Sequence, residues 1–399
     1  MVARNFRRKR RMRLCCSARA LFETIDFHRS PRYNKTMKVY LDYAATAPLD
    51  GEILDKMLPY LKANFGNSDS LHSFGRETAY AVSEARERVA GALGVRAKEV
   101  YFTAGGTEAD NWAVRVLGEG SVLTSPVEHR AVLDTVRAAR KHTVCAVGRD
   151  GLVSAQNVAD ALAPDTGLVC VMAVNNETGS IQPLEEISAL CRERGALLFS
   201  DCVQAGGALD MKRIAKSCDA FSLSAHKIYG PKGVGALVVK SGVKLRPMVL
   251  GGEQERGLRG GTTNVAGVVG FSYALEKAQA EREENQRKIK KVRDFFEERI
   301  LSALQDGVRV DGLNRVANIS HITLKEGNGA LLNKLDLYGV ACSGGAACSA
   351  HSPLPSHVML AMGRTEEEAR RGLRFSFGRE TTEEEAAFAA DVLIKCVRE

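Results

Sequence analysis

The chain has 399 residues, 45% of them apolar, which is enough to bury a large core and to fill two domains of ordinary size. No run of eighteen apolar residues occurs, which excludes a membrane-spanning helix and predicts a protein with no membrane partner. The net charge of +8 is held by the leader: residues 1–36 carry eleven Lys or Arg against Glu23 and Asp26, so the remaining chain is close to neutral and predicts no nucleic-acid partner.

The leader has no apolar centre of the kind a secretory signal needs. It reads as a disordered basic arm, as an Arg-rich transit peptide, or as sequence upstream of a start at Met37. We prefer the last, because Met37-Lys-Val-Tyr-Leu-Asp begins ordered-looking sequence abruptly. The ten cysteines include no C-x-x-C pair and no histidine at metal-ligand spacing, which predicts reduced thiols in a cytoplasmic type of compartment and no metal. Cys145 and Cys170 sit inside apolar runs and read as small core residues.

In chain order, Val82, Ala85, Val89 and Leu93 recur at helical spacing, and Val100-Tyr-Phe-Thr reads as a buried strand. The strand Ser121-Val-Leu-Thr follows, then a helix from about His129 to Arg140, then the strand Leu168 to Val174. A helix opened by Pro183 and stopped by Gly195 leads into the strand Ala196-Leu-Leu-Phe-Ser. Phe221-Ser-Leu-Ser is a further apolar stretch. Residues 272–304 predict one long charged helix with a solvated face, and Ala317 to Leu324 and Leu373 to Phe377 are later strand candidates. Short apolar strands alternating with amphipathic helices imply an α/β fold, its mostly parallel sheet covered on both faces. A smaller α+β domain follows.

Ligands of such sheets bind beyond the carboxyl ends of the strands, and several polar segments fall there. After Thr103, Ala-Gly-Gly106-Thr107-Glu is a glycine turn into a helix. Its amides and the Thr107 hydroxyl can hold a phosphate, or Thr107 can simply cap the helix. After Thr124 comes His129, either a satisfied structural histidine or a ring that stacks on a flat heterocycle and relays protons. Asn175-Asn176-Glu-Thr-Gly reads as a turn. Asp201, with Gln204 close behind, ends an apolar strand where a carboxylate is costly to bury without a cation, and a protonated pyridine nitrogen would serve as one. Lys227 closes Phe221 to Lys227 beside Ser224 and His226. It is either a solvated lysine leaving a strand or the amine of a Schiff-base enzyme. Taken together, these positions point to pyridoxal 5'-phosphate.

Leu41-Asp-Tyr-Ala-Ala-Thr-Ala-Pro, Phe65-Gly-Asn, Thr103-Ala-Gly-Gly-Thr-Glu, Glu128-His-Arg-Ala-Val, Val174-Asn-Asn-Glu-Thr-Gly, Ser224-Ala-His-Lys-Ile-Tyr-Gly-Pro-Lys-Gly, Glu255-Arg-Gly-Leu-Arg-Gly-Gly-Thr and Arg374-Phe-Ser-Phe-Gly-Arg occur in that order. With them the chain resembles the cysteine desulfurases, the NifS/IscS-like group of class V aminotransferase-fold enzymes. The resemblance runs from residue 38 to about 395.

It implies a fold type I transferase that depends on pyridoxal 5'-phosphate. A large domain (50–263) would bind the cofactor, and 37–49 with 264–399 would form the small domain. Lys227 would join the cofactor, Asp201 would pair with its ring nitrogen, Gln204 with its ring oxygen, and His129 would stack on its face. Gly106, Thr107, Ser224 and His226 would hold the phosphate, and Thr262 would reach the phosphate of a neighbouring subunit in a homodimer. Asn176 and Arg374 would hold the substrate L-cysteine, Arg374 through a planar fork suited to a carboxylate.

Ser343-Gly-Gly-Ala-Ala-Cys348-Ser-Ala resembles the loop that bears the catalytic cysteine. Its small residues leave the backbone free to swing, as a travelling nucleophile requires. The implied reaction turns L-cysteine into L-alanine, with sulfur leaving as a persulfide on Cys348 for an acceptor such as an iron-sulfur scaffold protein. Three positions depart from the family pattern: Gly-Gly-Ala-Ala replaces serines in the loop, Cys342 lies six residues before Cys348, and Glu253 stands where a glycine is common. The chain ends soon after its last predicted helix, which leaves the scaffold partner open. Selenocysteine lyase, or another class V enzyme, is the alternative activity.

Overall fold

The computed structural model describes residues 37–326, 330–344 and 355–399. The expectations for residues 1–36 and for Cys348 fall outside them. Strand β1 (Val39–Tyr40) opens the described chain. The larger sheet then takes β2 (Val100–Thr103), β3 (Ser121–Thr124), β4 (His142–Val144), β5 (Thr166–Cys170), β6 (Leu197–Asp201), β7 (Ala220–Ser224) and β8 (Gly235–Val239), in the spatial order β2-β8-β7-β6-β5-β3-β4. Neighbours from β4 to β7 run parallel, and β8 lies antiparallel between β7 and β2.

Both faces of this sheet are covered. β7 is buried at every position, and its two-residue alternation sends Phe221 and Leu223 into one apolar layer and leaves Ser222 and Ser224 on the opposite face. The first layer includes helix Ser73–Leu93, through Val82, Ala85, Val89 and Leu93, and helix Val265–Ala280, through Val268, Phe271 and Leu275. The opposite layer is built from Trp112 and Ala113 of helix Gly106–Val116 and from Val132 and Val136 of helix Arg130–Ala139.

A second sheet uses β9 (Val308–Asp311), β10 (Ile319–Leu324), β12 (Ser343–Gly344) and β13 (Gly372–Ser376) in the order β12-β13-β10-β9, all antiparallel, while β11 (Val340–Ala341) pairs with β1 in parallel. Helices Arg282–Leu304 and Glu383–Arg398 close its core around Phe296, Phe375 and Leu393. Residues 38–399 form one compact unit. No helix among the described residues is long and apolar enough to cross a membrane.

Several boundaries follow local chemistry closely. Helix Leu184–Arg194 starts after Pro183 and ends at Gly195, which adopts φ 70° as a left-handed cap. His129 caps helix Arg130–Ala139. The long helix expected over 272–304 is two helices instead, Val265–Ala280 and Arg282–Leu304, broken at Glu281. The apolar first helix belongs to the layer on the larger sheet and the charged second one to the core of the smaller sheet, so two packing partners bend a stretch that has no local breaker.

Candidate active site

The carboxyl ends of the parallel strands converge on one cavity of about 290 Å³, lined among others by Gly106, Thr107, His129, Asn176, Asp201, Gln204, Ser224, His226, Lys227 and Arg374. Ten residues singled out from the sequence therefore meet in one place. Small-molecule sites begin at roughly this size. Thr262 lies outside the cavity and is exposed on a loop.

Each strand supplies a different tool. The turn after β2 starts helix Gly106–Val116, whose first residues, Gly106 and Thr107, line the cavity, and a helix N-terminus is suited to an anion. Gly106 is required there, since a Cβ would stand 2.5 Å from Val203 Cγ2. The segment after β3 brings His129, whose Nδ1 accepts from the Ala131 N–H at 3.1 Å. In its neutral form the ring would then carry its proton on Nε2. β6 ends in Asp201, buried, with Oδ1 accepting from the Val203 N–H at 2.9 Å.

β7 leads into the short turn Ala225–Lys227. Lys227 Nζ donates to the carbonyls of Ala44 and Ala45 at 2.6 and 2.7 Å, and Gln204 Nε2 donates to the same Ala44 carbonyl at 2.8 Å. His226 Nδ1 lies 3.2 Å from Thr46 Oγ1. From the smaller sheet comes Arg374, fully buried on β13. It donates through Nη1 to the Asn176 carbonyl and through Nη2 to Asp42, both at 2.8 Å. Its Nε is buried with no hydrogen-bond partner among the described residues.

Burial dominates the electrostatics. It pushes the Asp201 carboxyl up, against the pull of nearby His129 and Lys227. It raises Glu128 to about 8, with Ser125 Oγ and the Met172 N–H as its hydrogen-bond donors. His226 is pushed down to about 4 by burial and by the neighbouring Lys227. Asp110, on the helix that starts at Gly106, is raised well above the ordinary carboxyl value by burial and by Asp201.

Sequence reading missed Asp42, Asp110 and Glu128. Asp42 and Glu128 stood inside quoted motifs, but nothing in the local composition gives them a place in the site. Asp110 lay one helical turn beyond Gly106, a spacing that would have flagged it.

The profile of the family described as aminotransferase class-V matches residues 39–387. The chain belongs to that family, among the cysteine desulfurases. Over 374 residues it is 41% identical to "Cysteine desulfurase IscS" of Dictyoglomus turgidum, covering 90% of this chain and 94% of the relative. Its fold matches a solved NifS-like protein with TM-score 0.84 and 32% identity, over 91% of this chain and all of the other. A second solved relative, described as SspA in complex with cysteine, matches with TM-score 0.75 and 32% identity, over 86% of this chain and all of the other.

Cysteine desulfurases depend on pyridoxal 5'-phosphate. The residues present fit that cofactor: a helix end and hydroxyls for a phosphate, a buried carboxylate for a ring cation, and a lysine in the same cavity.

Proposed function

We propose that this cysteine desulfurase converts L-cysteine to L-alanine and passes the sulfur through a persulfide on Cys348 to an acceptor protein of an iron-sulfur or thiolation pathway. One observation carries the roles assigned below: Lys227, Asp201 and Arg374, from three distant parts of the chain, line a single cavity. When bound, pyridoxal 5'-phosphate supplies an aldehyde for amines and a protonated ring that takes up the electron pair of a deprotonated Cα.

The chain's own residues do the rest. Gly106, Thr107, Ser224 and His226 hold the phosphate, Asp201 stays anionic against the ring nitrogen, Gln204 meets the ring oxygen, and His129 covers the ring face. Lys227 moves the Cα proton. Arg374 and Asn176 hold the substrate carboxylate, the unpartnered Arg374 Nε being the donor that such a carboxylate completes.

His129 protonates or deprotonates the substrate thiol. The Cys348 thiolate bonds to the substrate sulfur as the C–S bond breaks, and the carbon skeleton keeps the electron pair and gains a proton to become alanine. Thr262 reaches the phosphate of the second copy in a homodimer.

The two sheets have separate cores, which supports a division into a large and a small domain. Helix Val265–Ala280 is then counted with the large one, because its buried residues lie in that core. We place the protein in the cytoplasm, with a mitochondrial address as the alternative if residues 1–36 act as a transit peptide.

The test is Cys348→Ala. The variant should keep the cofactor's absorbance and lose persulfide transfer to an acceptor, and unchanged sulfur delivery would remove Cys348 from the scheme. Release of alanine from selenocysteine but not from cysteine would favour a selenocysteine lyase. Keto-acid exchange without sulfur release would favour a transaminase.

A further inference from the structure

Beneath the cavity lies a carboxyl group to which the reaction assigns no task. Asp110 is 1% exposed, lines the cavity, and accepts from Ser222 Oγ through Oδ1 at 2.5 Å. Asp110, His129 and Asp201 each contribute a polar atom, and the three atoms lie within 4.8 Å of one another. Two buried carboxyls at this separation do not both ionise unless each has a cation.

The groups facing Asp110 can be taken in turn. Asp201 comes from the end of β6, and the cofactor's ring nitrogen brings one positive charge, which Asp201 takes. Glu128 and His129 come from the segment after β3. Glu128 is itself a buried acid, and the His129 ring has its Nδ1 committed to the Ala131 N–H. Ser222 on β7 is uncharged. Lys227 lies beside Asp201 and gives its protons to the carbonyls of Ala44 and Ala45. Among the described residues, the charges that act on Asp110 are those of two other carboxyls, Asp201 and Glu128, and both disfavour its ionisation.

We propose that Asp110 is a positioning residue that keeps its proton in the working enzyme and, as a neutral hydrogen-bonding carboxyl, holds Asp201 and His129 so that Asp201 alone carries negative charge beneath the cofactor ring. The inference rests on the reading that Asp201 meets that ring. It explains why helix Gly106–Val116 directs an acid inward one turn after its phosphate-binding end: the same rigid element sets the heights of the phosphate and of the carboxyl pair. A neutral acid also lets the pair be braced without adding a second buried anion, which the site would have to neutralise.

The discriminating substitution is Asp110→Asn, which keeps the shape and a donor but cannot ionise. The holoenzyme should show a protonated-carboxyl infrared band, shifted in D2O, that vanishes in Asp110→Asn. Loss of ionised carboxylate bands instead would overturn the proposal. Asp110→Asn should also keep cofactor affinity and the pH profile of the cofactor's visible absorbance, whereas Asp110→Ala should weaken affinity about tenfold and move that profile, as expected for loss of a hydrogen bond to a charged group. An Asn variant that behaves like the Ala variant would sink the idea. Should Asp110→Ala fail to fold, the infrared comparison still decides. Failure of the parent chain to bind pyridoxal 5'-phosphate would refute the proposed function, and that outcome is distinct from a cofactor-loaded enzyme with an ionised Asp110.

Discussion

Arg374 and Asp42, 332 residues apart, form an ion pair of 2.8 Å at the edge of the cavity, with Arg374 fully buried and the Asp42 side chain 21% exposed. The same guanidinium spends Nη1 on the Asn176 carbonyl and leaves Nε buried without a partner among the described residues. Asp42 and Asn176 thus fix the orientation of the guanidinium on which the proposed substrate carboxylate would bind.

Arg374→Lys should therefore raise KM for cysteine by about 10- to 100-fold, the loss of charge-assisted hydrogen bonds that a single ammonium cannot replace. The cofactor's absorbance should stay as in the parent. A KM within twofold of the parent would show that the substrate carboxylate binds elsewhere.

His226 supplies a pH signature of stability. Its folded value of about 4 lies below the ordinary histidine value of 6.5, so the unfolded chain binds a proton that the folded chain refuses. This contribution is complete above pH 6.5, is lost as pH falls from 6.5 to 4, and stays constant below. The stability difference between the parent and His226→Asn, followed by denaturant unfolding, should change across that window and be flat on either side of it. A difference independent of pH would show that His226 titrates normally.

The loop carrying Thr262 is stapled to β2 by Glu255. Its carboxylate takes both Nη atoms of Arg86, at 2.7 and 2.8 Å, and the Phe102 N–H at 3.0 Å, with the Glu255 side chain 5% exposed. Glu255→Gln removes one charge and leaves the largely buried Arg86 guanidinium without its counter-ion, though still bonded to the Val100 carbonyl. We expect a stability loss of about 3 kcal/mol, read from denaturant midpoints. A loss below about 1 kcal/mol would place this pair with ordinary surface bridges.

Five thiols should be silent. Cys145, Cys170, Cys191, Cys202 and Cys218 are buried, and burial pushes all of them upward, Cys145, Cys191 and Cys218 to about 12. Only the thiolate alkylates readily, so iodoacetamide at pH 8 should leave all five unmodified in the native protein and label them after denaturation. Native labelling at any of them, located by peptide mass spectrometry, would mean that the core opens there.

Much of the site was legible in the chain because an α/β sheet turns sequence order into position. Asp201 and Lys227 could be placed together from two apolar strands with polar ends, since β6 and β7 are parallel neighbours and both finish on the same edge. His129 and the Gly106–Thr107 turn followed by the same rule. β8 was not legible as the one reversed strand: strand direction depends on how the connection returns, and an apolar run looks alike either way.

By itself the sequence determined the alternation of strands and helices, the caps at Pro183 and Gly195, and the set of residues able to handle a cofactor, because propensity and two- or four-residue periodicity are local. Only the tertiary structure decided which carbonyls receive Lys227, that Arg374 arrives already paired with Asp42, that Asp110 lies beside Asp201, and that the helix over 272–304 breaks at Glu281. Those outcomes depend on distances between segments remote along the chain and on how far each group is removed from water. Coulomb interaction and desolvation follow spatial separation, and spacing in the sequence does not encode it.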